Sequence, residues 1–163
     1  MKRLLIVWHS RTGAARAMAE AAARGAAGEA GVETRMLAAD AAGPDDLLAA
    51  DGYLFACPEN LAAMSGAMKE FFDRNYYPVL ERLNGRPYAM LIAAGSDGTG
   101  AQRQMARIAT GWRLKVIAEP VIVCTQAQAA DAILAPKTLA EPDLARCEEL
   151  GAALAAGLSM GVF

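Results

Sequence analysis

Three continuous apolar runs dominate the pattern of hydrophobic and polar positions: Leu4 to Trp8, Tyr53 to Cys57 and Pro87 to Ala94. Each has strand length, and the lack of alternation fits a parallel strand covered on both faces. Pro58 is read as the end of the second run. Val32 to Leu37 alternates apolar and polar side chains, which predicts a strand nearer the sheet edge. Lys115 to Cys124 supplies a fifth, made irregular at its start by Pro120.

Helical patterns lie between these runs. An alanine-rich helix is expected from Gly13 to about Gly25, with Ala17, Met18, Ala21 and Ala22 available for packing and Ala21 to Ala23 read as helix filler. Gly43-Pro44-Asp45-Asp46 carries turn and helix-start signals for a short helix through Ala50. Met64, Met68, Phe71 and Phe72 recur at spacings of three and four and predict an amphipathic helix. Ala101 to Trp112 predicts another, with Met105, Ile108 and Trp112 on one side. A last helix begins at Glu141-Pro142-Asp143, carries Leu144, Cys147, Leu150, Leu154 and Leu158, and is expected to close one face of the sheet.

Strands alternating with helices imply an α/β fold with a parallel sheet wound on both sides, here as a single domain over residues 1–163. In such sheets ligands bind beyond the strand C-termini, where the strand order reverses. Three polar loops follow the three apolar strands. The first, Ser10-Arg11-Thr12-Gly13, opens a helix, so its unpaired amides and the helix dipole favour an anion. Ser10 and Thr12 can donate hydroxyl hydrogens there, and Arg11 can supply charge. An ordinary N-cap by Ser10 or Thr12 is the equal alternative. Thr125 to Ala140 is the least readable stretch, long enough to suggest a functional or interfacial excursion.

Composition narrows the chemistry. A chain of 163 residues can bury roughly 70% of its unfolded surface without disulfide support. Three cysteines without CxxC spacing and a single histidine, His9, speak against a zinc site and for reduced thiols in a cytoplasmic protein. The net charge of -2, without a basic stripe, argues against nucleic acid, and no apolar segment is long enough for a membrane span. His9 is read as a structural hydrogen-bonding residue and Cys57 as a small buried hydrophobe. Asp97 either bonds a ligand or sets its turn, and Tyr76 and Tyr77 are read chiefly as packing for a helix end.

The loops together resemble the flavodoxin-like superfamily, and within it the FMN-dependent NAD(P)H oxidoreductase branch. Ser10-Arg11-Thr12-Gly13-Ala14-Ala15 is similar to that superfamily's phosphate loop, with Ala15 where a hydroxyl or amide residue is usual. Pro58-Glu59-Asn60-Leu61-Ala62, followed by Ser65-Gly66, resembles the reductase loop and helix that lie against the flavin. Gly95-Ser96-Asp97-Gly98-Thr99-Gly100 resembles the glycine-rich segment at the isoalloxazine edge.

The resemblance implies a three-layer sandwich with a five-stranded sheet in the order 2-1-3-4-5. It implies FMN held by Ser10, Arg11, Thr12, Gly13, Ala14, Ala15, Pro58, Glu59, Asn60, Leu61, Ala62, Gly95, Ser96, Asp97, Gly98 and Gly100, with no obligatory catalytic side chain. The flavin would carry reducing equivalents from NAD(P)H to a small acceptor such as a quinone. The absence of flanking aromatics leaves a flavin face open to nicotinamide. A flavodoxin-type electron carrier and a cofactor-free interaction module are the alternatives, and the resemblance further implies a homodimer.

Overall fold

The computed structural model describes residues 1–163. In chain order the elements are β1 (Lys2–Trp8), α1 (Ala14–Ala26), β2 (Val32–Ala38), α2 (Pro44–Ala49), β3 (Gly52–Asn60), β4 (Ala63–Met64), α3 (Gly66–Asn75), β5 (Pro87–Ala94), α4 (Thr99–Gly111), β6 (Lys115–Val116), β7 (Val121–Cys124), α5 (Ala130–Leu134) and α6 (Glu141–Met160). The sheet runs β2-β1-β3-β5, and β6 and β7 share the next position, both parallel to β5. They are two pieces of the expected fifth strand, parted around Pro120, which has no N–H to offer a ladder. Counted as whole strands, the order is the 2-1-3-4-5 that the resemblance implies.

Alternate residues of each strand feed opposite cores. Leu4 and Ile6 of β1, with Leu54, Leu91 and Val123, pack under α1 and α6. Leu5 and Val7, with Phe55, Met90 and Ile92, pack under α2, α3 and α4. The two cores differ in texture. On the second face Phe55 meets Phe72 edge-on at 5.2 Å, Phe72 lies 5.4 Å from Trp112, and Tyr76 stacks on Trp112 at 5.9 Å. Tyr76 thus packs the end of α3, as read, while Tyr77 is exposed.

The first face is built from small residues. Ala21 and Ala22, expected to be available for packing, are fully buried between α1 and α6. The helices approach so closely that a Cβ at Gly25 would overlap the Glu148 carbonyl, and one at Gly151 would overlap the Ala22 carbonyl. Cys147, Leu150, Leu154 and Leu158 complete the buried stripe of α6.

Two expectations need correction at β3. The strand does not stop at Pro58; it continues to Asn60 and folds back as a hairpin with β4, pairing Glu59 with Met64 and Asn60 with Ala63. Ala56 gives its carbonyl to the His9 amide on the β1 side, and two residues later Pro58 faces that same side, where β1 has ended. A missing N–H costs nothing there, and the Pro58 carbonyl accepts from Ser65 N–H at 3.1 Å. Met64 consequently belongs to β4 rather than to the amphipathic helix, although it is buried all the same. No helix is long and apolar enough to cross a membrane.

Candidate functional site

The first loop turns on Gly13, whose φ of 98° is a left-handed conformation that suits glycine. Gly13 is the N-cap of α1, so neither Ser10 nor Thr12 plays the capping role. Instead Ser10 Oγ accepts from the Gly13 amide at 3.0 Å, which pins the loop and leaves the hydroxyl hydrogen free to donate. Within the first turn of α1 the amides of Ala14, Ala15 and Arg16 have no protein acceptor, and the Ala17 amide is the first to be bonded, to Gly13 at 3.0 Å. The loop is a set of donors around a helix N-terminus. Arg11 adds a positive charge from an exposed position.

The second and third loops are joined through one carboxylate. Glu59 Oε1 accepts from the Gly98 amide at 2.9 Å, and Oε2 accepts from the Ala101 amide at 3.0 Å. Glu59 therefore caps α4 across the sheet, where the positive end of the helix dipole favours it. Its side chain is committed to protein amides, and only its flank lines the cavity. Gly98 is the N-cap of α4 with φ 93°, and a Cβ there would come within 2.6 Å of Ile122. Asp97 sets this turn by accepting from Thr99 Oγ1 at 2.8 Å. The hairpin tip, Leu61 and Ala62, holds φ of 51° and 63°, and the Leu61 side chain is fully exposed.

His9, at the end of β1, sits with Nδ1 2.8 Å from the hydroxyl of the fully buried Ser65. That pairing ties the first loop to the start of α3, in keeping with a structural role. Burial, and then the Arg11 charge, hold the His9 pKa below its ordinary 6.5. Below pH 6.5 the unfolded chain takes up a proton that the folded site resists, so stability should fall as the pH drops through this window. We expect a lower urea midpoint at pH 5.5 than at 7.5, by less than about 1 kcal/mol because the ring is half exposed. A His9→Asn variant should lose that contribution, and an identical slope in both proteins would refute it.

Cys57 lies beneath the second loop with its sulfur 3.7 Å from that of Met105, and burial pushes its thiol up to about 12. It stays protonated and apolar in character.

A small open cleft of about 70 Å³ lies where the loops meet. Of the residues expected to hold a cofactor, Ser10, Arg11, Thr12, Ala14, Ala15, Pro58, Glu59, Asn60 and Gly95 line it. Gly13, Leu61, Ala62, Ser96, Asp97, Gly98 and Gly100 do not; they shape the turns behind it or lie at its rim. Gly100 lies against the Ala62 carbonyl with no room for a side chain, which brings the third loop onto the hairpin tip.

The remaining wall was missed from sequence: Ala93 and Ala94 at the end of β5, then Thr125, Ala127, Ile133 and Lys137. The last four belong to the segment after β7. There Thr125 and Gln126 donate to the carbonyls of Ala94 and Gly95 at 2.8 Å each, continuing the ladder past the strand end.

Comparison with known proteins agrees with this architecture. The family model described as NADPH-dependent FMN reductase matches residues 41–129. A flavodoxin of Aquifex aeolicus (strain VF5) is 33% identical over 100 residues, covering 61% of this chain and 54% of that protein. An NAD(P)H dehydrogenase (quinone) of Acidithiobacillus ferrooxidans (strain ATCC 53993 / BNL-5-31) is 28% identical over 131 residues, covering 68% and 66%. The chain thus spans between about half and two thirds of the length of these relatives. Among solved structures, the flavodoxin, WrbA-like protein from Agrobacterium tumefaciens superposes with a TM-score of 0.75 at 18% identity, over 98% of this chain and 99% of that one. That likeness establishes a flavodoxin-like fold, and because the reductase family model accounts for more than half of the residues, the chain belongs to the NADPH-dependent FMN reductase family.

Proposed function

We propose that this protein is an FMN-binding oxidoreductase that passes reducing equivalents from NAD(P)H, through the flavin, to a small acceptor such as a quinone. The observation that carries the reading is the meeting of three strand-end loops at one cavity, with a loop rich in unpaired donors at one side. The donor set fits an esterified phosphate: Ser10 and Thr12 hydroxyls, the first-turn amides of α1, and the Arg11 charge.

The flavin would supply the hydride and electron chemistry. The chain's own residues would bind and orient it. Ser10, Thr12 and the amides of Ala14 and Ala15 would hold the phosphate, while Pro58, Asn60 and Gly95 would bound the ring. Glu59 fixes the second loop against the third through its two amide bonds, so the ring walls keep a constant separation. Ala15 offers an amide but no side-chain donor, which predicts weaker phosphate binding than a hydroxyl or amide side chain there would give.

Purified protein mixed with FMN should quench flavin fluorescence on binding and then oxidise NADPH or NADH in the presence of a quinone. Binding without turnover on any common acceptor would overturn the reductase reading. The second reading is a flavodoxin-type electron carrier, favoured by the relative from Aquifex aeolicus at 33% identity. It would bind FMN tightly, accumulate one-electron-reduced flavin during photoreduction and react little with nicotinamide.

A further inference from the structure

The segment between β7 and α6 makes two kinds of contact that its sequence does not advertise. The Lys137 amide donates to the Thr12 carbonyl at 2.8 Å, and the Lys137 carbonyl lies 3.7 Å from where a Gly13 Cβ would be. Its backbone therefore lies directly against the turn that starts the anion loop. The Lys137 ammonium donates to the carbonyls of Ala132, Ile133 and Ala135 at 2.8, 2.9 and 2.6 Å. All three ammonium hydrogens are spent on the C-terminal end of α5, where the helix dipole favours a cation.

Two consequences follow from elementary electrostatics. The Thr12 carbonyl is a backbone acceptor directly before the Gly13 turn, and an acceptor left open next to an anion is repulsive. A bond from the Lys137 N–H engages that oxygen, so the loop offers hydrogens to its ligand. Meanwhile the clamp on three carbonyls holds α5, an exposed single-turn helix with no buried residue of its own, in the position where Ile133 walls the cavity. Five residues of exposed helix cannot hold that position by packing.

We infer that Lys137 is a positioning residue for the anion loop, holding the Ala127–Lys137 strap against Thr12 so that the phosphate end of the cavity is preformed. This rests on the proposed FMN reading for its ligand, and the test separates the two. In fluorescence titrations Lys137→Met should weaken FMN binding about tenfold, while riboflavin, which lacks the phosphate, should change by less than about twofold. Lys137→Arg, which keeps the charge and several donors, should recover most of the loss, and Lys137→Gln should behave like Lys137→Met.

Amide exchange on the unliganded protein gives a reading without any flavin. The Gly13 and Lys137 amides should exchange faster by about threefold or more in Lys137→Met, with the β5 amides unchanged. Wild-type protein that ignores FMN would remove the cofactor reading. Wild-type protein that binds FMN, beside a Lys137→Met variant that binds it equally well or loses riboflavin to the same degree, would remove the positioning role alone. Unchanged exchange at Gly13 would remove the strap whatever the flavin does.

Discussion

Gly151→Val should lower the stability of the protein by roughly 3 kcal/mol, among the larger effects available to a single substitution. The reason is backbone against backbone. A side chain at Gly151 would enter the space of the Ala22 carbonyl, and Gly25 meets Glu148 in the same way from the opposite helix. No rotamer change relieves either contact, so α1 and α6 must separate along the length that buries Ala21, Ala22, Leu150 and Leu154. The corresponding fall in melting temperature is on the order of 10 °C for a chain of this size. Gly151→Ala is the sharper variant. Helix propensity alone favours alanine by about 1 kcal/mol, whereas the close approach opposes it. Thermal unfolding that shows Gly151→Ala to be stabilised would mean that the two helices part at little cost.

Glu59→Gln should cost about 2 kcal/mol and loosen two of the three loops together. The carboxylate satisfies Gly98 N–H with one oxygen and Ala101 N–H with the other. A glutamine has one acceptor oxygen, so its amide group must face one of those N–H groups donor to donor. The start of α4 would fray, and the Gly95–Gly100 turn would lose its tie to the Pro58–Asn60 hairpin. Urea denaturation should show a lower midpoint with an unchanged slope, and flavin binding should weaken alongside. A midpoint equal to that of the wild type would show that water replaces the carboxylate without penalty.

The strands and the donor loop were legible because their causes are local. Leu4 to Val7 and Tyr53 to Cys57 are apolar without a break, since both sheet faces are covered, and Gly13 follows Ser10 at the distance a tight helix entry needs. What escaped depends on distant parts of the chain. A proline breaks the ladder only where a strand still runs on the side its missing N–H faces, and nothing near Pro58 says that β1 has finished. Ala21 and Ala22 were legible as packing positions, but not the close approach of a second helix that Gly25 and Gly151 admit against them.

Glu59 was expected at the cavity for its place in the loop, but its carboxylate answers to Gly98 and Ala101, which no pattern around Glu59 reveals. The strap was unreadable for the same reason. Residues Ala127 to Lys137 carry no clear periodicity, because they are shaped by backbone contacts with Thr12 and by the Lys137 side chain folding back on α5.

The bond from Lys137 to Thr12 also sets a calendar for the nascent chain. The donor loop leaves the ribosome well before the peptide that closes it, which follows β7 and so emerges after most of the sheet has been made. Until then the loop lacks its fastening, so any flavin met during synthesis should be held more weakly than after that late segment has emerged and docked.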